Sequence, residues 1–156
     1  IMGSTDSEYM FYLFISNLRQ KFEDINDPAI ETVDVKNALV KTLNEINTLS
    51  TNVGITIPSK INTIATNGKI MAATRFGHSL YYALKTKEPT KDIKLYKDTT
   101  NLSIKFNNMN NGFIKEKNDS VIIASEILNA EDRWFEVPEQ SVLTIDSKLR
   151  TSISAL

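Results

Sequence analysis

The sequence predicts an α/β fold of the α+β kind, two helices followed by antiparallel strands, and three observations carry it. Apolar residues recur at helical spacing over the first fifty residues. The period then changes to that of strands near Ile61. An Asn67-Gly68 pair between β-type runs marks a hairpin, because both positions of a tight type I′ turn need positive φ.

The first helix starts in Gly3-Ser4-Thr5-Asp6-Ser7-Glu8. Thr5 and Glu8 have capping-box spacing: the Thr hydroxyl accepts from the amide three residues on, and Glu8 reaches back. The apolar stripe that follows is Phe11, Phe14, Ile15, Leu18, Phe22 and Ile25. Asp6 falls in the first turn, where the helix dipole favours a carboxylate. It either complements that dipole or receives a cation such as the ammonium of an amino acid, and spacing alone leaves both readings open. Thr5 and Ser7 are its natural supports.

Asn26-Asp27-Pro28 signals a turn. A second helix is expected from about Ile30 to Ser50, burying Val35, Ala38, Leu39, Thr42, Leu43, Ile46 and Leu49, with Asn37, Lys41, Asn44, Glu45 and Thr48 outside. Strands are then expected at 61–66, 69–75 and 79–84, joined by Asn67-Gly68 and Phe76-Gly77-His78 into a meander. Five lysines between Lys85 and Lys97 read as a solvated loop and edge strand. Leu102, Ile104 and Phe106 alternate as a strand, and 107–112 is a polar loop. Val121–Ala124 is an apolar run expected as a fully buried strand, and short strands flank Pro138-Glu139-Gln140.

Composition excludes several classes. The 156 residues carry a net charge of −1, which gives no reason to expect nucleic acid or an anionic membrane as partner. Hydrophobic residues make up 41%, yet no apolar run reaches a membrane span of roughly 20 residues. There is no cysteine, so this polypeptide offers no disulfide, thiolate metal site or cysteine nucleophile, and an intracellular setting is expected. His78, the one histidine, has no second ligand at metal spacing. No nucleophile-elbow motif supports a triad with Ser79, and the two Asn-x-Ser sequons are read as chance. Arg75 and Glu126 end strands and are placed to pair, with Arg75 also a candidate substrate contact. Trp134 and Tyr81 read as core or interface aromatics.

Three segments together resemble class-II glutamine amidotransferases. Gly3–Glu8 resembles the start of a core helix in that family. Ala65-Thr66-Asn67-Gly68 through Ala73-Thr74-Arg75 and Ser79-Leu80-Tyr81 resemble the TDG, SRY and SLY pattern of one branch, with Asn67 where Asp is usual. Val121–Ile145 resembles the VIVASEPLT and LLTI ending of that branch, departing at Ile127 and at Glu139-Gln140. The branch includes the amidotransferase-like subunit of the Dug-type glutathione-degrading complex.

The resemblance implies part of an αββα N-terminal-nucleophile sandwich, with residues 1–156 as its C-terminal part. It implies hydrolysis of glutamine, or of a γ-glutamyl amide such as glutathione, through a cysteine thioester, with Asp6 holding the substrate α-amino group beside Thr5 and Ser7. It implies no cofactor and no metal, and a possible partner subunit. The family's cysteine, oxyanion donors and carboxylate-binding Arg lie upstream of the Gly3–Glu8 motif, so no catalytic residue is assigned here. The missing N-terminal part of the domain is expected to supply them; a non-catalytic binding or scaffold subunit is the alternative.

Overall fold

The structure is a computed structural model that describes residues 5–57, 59–85, 120–130 and 132–156. Among these, two helices and seven strands form three layers. The helices are α1 (Asp6–Arg19) and α2 (Thr32–Asn52). One sheet runs in the order β1 (Thr63–Thr66), β2 (Met71–Arg75), β6 (Ser141–Ile145), β7 (Thr151–Ala155). The other runs β4 (Ser120–Ala124), β3 (Tyr81–Lys85), β5 (Trp134–Glu136), and every pairing in both is antiparallel.

α1 starts where its sequence places it. Thr5 is the N-cap, and its hydroxyl accepts from the Glu8 amide at 3.3 Å. The helix ends at Arg19, so Phe22 and Ile25 of the expected stripe lie beyond it. The chain tightens there because the Lys21 and Phe22 amides both donate to the Leu18 carbonyl, and Phe22 packs against the core from the turn. Phe14 and Leu18 are buried, whereas Phe11 is 55% exposed.

α2 begins in a reciprocal capping box between Glu31 and Asp34. It lies antiparallel to α1: Lys21 meets Asp34 at 2.6 Å near one end, and Asn17 reaches Thr42 and Glu45 further along. The buried Thr42 hydroxyl accepts from Asn17 and donates to the Ala38 carbonyl, so neither polar group is left unpaired. Val35, Ala38, Leu39 and Leu43 are buried as expected, but Leu49 is 61% exposed because the last turns of α2 join neither core cluster.

Strand alternation separates two cores. Ala72 and Val142 point to the helices with Phe14, Leu18, Val35 and Leu39. Their neighbours Ala73 and Leu143 point the other way, into an inter-sheet core with Tyr82, Val137 and Ile145. All four are wholly buried.

Three expectations are corrected. The strands from 61 to 84 do not form a meander: β2 pairs with β6, and β3 joins the second sheet. The chain crosses between sheets at Phe76–Leu80, where Gly77 has φ +94° and a Cβ would stand 2.5 Å from Lys60 Cγ. The β1–β2 connection is not a two-residue turn. Thr66 pairs with Met71, so four residues bridge the strands, and Gly68 is the bridging residue with positive φ. Asn67 instead uses Oδ1 to accept from the Lys69 and Ile70 amides, each at 3.0 Å, which favours the longer loop. Finally, β4 is half-buried throughout rather than fully buried, because it is an outer strand among the described residues.

β7 has no counterpart among the sequence expectations. The strand expected at Leu102–Phe106, the loop at 107–112, most of the lysine-rich stretch and the sequon at 101–103 lie outside the described residues.

Candidate functional site

Asp6 is the first residue of α1 and is exposed. Its Oδ1 accepts from the Ser7 amide at 2.7 Å and from the Ser7 hydroxyl at 3.5 Å. Among the described residues Oδ2 has no hydrogen-bond partner. Thr5 caps the helix beside it in extended conformation, φ −85° and ψ 149°. The three sequence candidates therefore stand together. Thr5 fixes the start of the helix, Ser7 pins one carboxylate oxygen, and the other is left unbonded by the described residues at the positive end of the helix dipole. A carboxylate so held offers a charge-assisted bond to a cation.

The antiparallel helices place Asp6 at the end of the helical layer where α2 finishes. The first turn of α2, the β1–β2 loop and the β6–β7 turn line a cleft of about 880 Å³ at the opposite end.

Arg75 does not pair with Glu126, which is exposed. Its Nη1 donates to Glu136 at 2.6 Å and to the Val137 carbonyl at 2.5 Å. Its Nε donates to the His78 carbonyl at 3.1 Å and faces Glu139 Oε2 at 3.2 Å. Glu139 also accepts from the Gly77 amide at 2.6 Å. These bonds tie together the two places where, among the described residues, the chain crosses between sheets. Two carboxylates neutralise the guanidinium, so Arg75 is committed to the fold rather than presented to a substrate carboxylate. The Arg75–Glu126 pair expected from the sequence does not form, and the partner is instead Glu136, 61 residues away across the sheets.

His78 is exposed and Ser79 donates its hydroxyl to the Ser125 carbonyl at 2.7 Å. Tyr81 and Trp134 are half-buried on the second sheet. Among the described residues no group of three or more His, Cys, Asp or Glu is placed to hold a metal ion, and no helix is long and apolar enough to cross a membrane.

The two-helix and two-sheet architecture is a fold already seen in a solved structure. The chain belongs to the class-II glutamine amidotransferases, whose family description it matches over residues 1–151. It shares its fold with the glutamine aminotransferase class-II domain protein from Silicibacter pomeroyi, at a TM-score of 0.61 and 20% identity. The match takes in 99% of this chain and 53% of that protein, so the chain spans about half the length of its structural relative. No curated protein matches it.

Proposed function

We propose that residues 1–156 form the C-terminal part of a glutamine amidotransferase domain that hydrolyses a γ-glutamyl amide through a cysteine thioester. The nucleophile, its oxyanion donors and the substrate-carboxylate contact come from chain outside these residues. Here the α-amino group of the substrate is held by Asp6, supported by Thr5 and Ser7. The observation that carries this reading is the Asp6 carboxylate itself, pinned at Oδ1 by Ser7 and open at Oδ2, in a chain of this family. Fixing the ammonium positions the γ-amide at the far end of a short substrate for attack, which is an orientation effect.

The substrate in this reading is glutamine or a γ-glutamyl amide such as glutathione, in a cytoplasmic protein of the Dug-type branch, with or without a partner subunit. Labelling the full-length gene product with a diazo-ketone glutamine analogue tests the chemistry. An adduct on an N-terminal cysteine is expected; its absence would leave a binding or scaffold subunit on this fold. In the active full-length enzyme Asp6→Asn should keep the helix and raise KM for glutamine by about tenfold to a hundredfold, the scale of a lost charge-assisted bond. An unchanged kcat/KM would remove Asp6 from the site.

A further inference from the structure

The β1–β2 loop brings together the groups needed to convert one of its own residues. Asn67 and Gly68 are both exposed, and a Cβ at Gly68 would meet nothing within 4 Å. The Lys69 and Ile70 amides donate to Asn67 Oδ1 at 3.0 Å each. The Gly68 amide donates to Thr66 Oγ1 at 3.1 Å, and the Thr66 hydroxyl donates onward to the Ile70 carbonyl at 2.8 Å.

We propose that Asn67-Gly68 is a site of spontaneous deamidation, assisted by the loop that holds it. The Gly68 nitrogen loses its proton and attacks Cγ of Asn67, forming a C–N bond and a tetrahedral centre. The negative charge collects on Oδ1, where the Lys69 and Ile70 amides are already aimed. Such preplaced donors act as an oxyanion hole does. The centre collapses with loss of Nδ2 as ammonia, after protonation by water, and leaves a succinimide. Water then opens that ring at either carbonyl, giving an aspartyl residue or its isoaspartyl isomer in place of Asn67. Water is the only co-reactant.

Glycine matters twice. It has no side chain to obstruct the attack, and it takes the φ of +83° that the loop requires. Thr66 is a positioning residue: its oxygen orients the Gly68 N–H and lies on the path of the departing proton. The two products differ in their fit. The aspartyl form keeps the acceptor for the Lys69 and Ile70 amides and strengthens both bonds by its charge. The isoaspartyl form adds a backbone atom to a loop whose ends are fixed by the Thr66–Met71 pair, so it strains the hairpin. The aspartyl product should therefore outweigh the isoaspartyl one in the folded protein, the reverse of the usual preference in flexible peptides. A new carboxylate would enter the 880 Å³ cleft that Asn67 lines with Lys36 and Lys69.

The test is incubation of the folded chain at mildly alkaline pH, with the tryptic peptide Ile61–Lys69 followed by mass spectrometry and isoaspartate scored with isoaspartyl methyltransferase. The expected result is steady gain of the amide-to-acid mass shift in that peptide, faster at higher pH, with aspartate as the main product. Gly68→Ala should abolish most of it. Thr66→Val, checked for an unchanged circular dichroism spectrum, should slow it severalfold. No shift in Ile61–Lys69 would overturn the site. An isoaspartate-dominated product, or an unchanged rate in folded Thr66→Val, would overturn the role of the loop.

Discussion

At Asp34 one carboxylate serves two elements. Oδ2 accepts from the Glu31 amide at 3.0 Å and so starts α2, while Oδ1 binds the Lys21 ammonium at 2.6 Å and so ties down the turn after α1. Burial works to raise its pKa, but the Lys21 and Glu31 bonds outweigh it and hold the carboxyl below its ordinary value of 3.8. Asp146 is lowered in the same sense: burial opposes ionisation, and bonds from Arg150 and from the Lys148 amide overcome it. A depressed folded pKa stabilises the fold above the unfolded pKa, and that contribution is lost as pH falls through the folded value. Unfolding midpoints in urea should therefore decline as pH drops from about 4 downward. Asp34→Ala should cost about 2 kcal/mol at neutral pH, the scale of a lost cap plus a partly exposed ion pair, and should flatten that decline. Thr5 and its cap are legible in sequence because every partner lies within three residues. The Lys21–Asp34 bond is not, because no spacing rule relates residues 13 apart, one in a turn and one at a helix start.

Among elements, the crossings between sheets set the limit of what the sequence discloses. The strand-like runs of β2 and β6 and the apolar run of β4 are visible in the sequence. Gly77, Arg75, Glu136 and Glu139 clasp the described crossings between the sheets, and those partners are separated by more than sixty residues, 61 from Arg75 to Glu136 and 62 from Gly77 to Glu139. Asn67-Gly68 likewise identifies the hairpin but not its loop length, since Asn67 spends its side chain on two amides instead of adopting positive φ. Arg75→Ala should destabilise by about 2 kcal/mol, below the figure for a fully buried pair because both glutamates are half-exposed. Arg75→Lys should recover less than half of this, since one ammonium cannot reproduce contacts made by two guanidinium nitrogens. A double-mutant cycle with Glu136→Gln in urea measures the share owed to that pair, and a coupling of zero would deny the clasp its role.

For the whole molecule, stability should concentrate between the two sheets. Leu143 is wholly buried there, and Leu143→Ala should cost about 3 kcal/mol and lower Tm by about 10 °C. Leu49→Ala, at a residue 61% exposed, should shift Tm little. Calorimetry on the pair separates a true inter-sheet core from a loosely packed one. The sequence discloses the layers because each has its own period, and it discloses the Asp6 carboxylate because a helix start is local. What would face Asp6 across the proposed site is not written near it, since no described side chain beyond Ser7 hydrogen-bonds its carboxylate.

The central strands β2 and β6 carry a further consequence, for how such a chain can change in length. Neither has a solvent side: Ala72 and Val142 belong to one interior, Ala73 and Leu143 to the other. A single inserted or deleted residue would exchange the two sets, turning helix-facing side chains toward the second sheet and the reverse. Gaps in descendants of this sequence should therefore fall in the connections, while the five-residue spans of β2 and β6 keep their count.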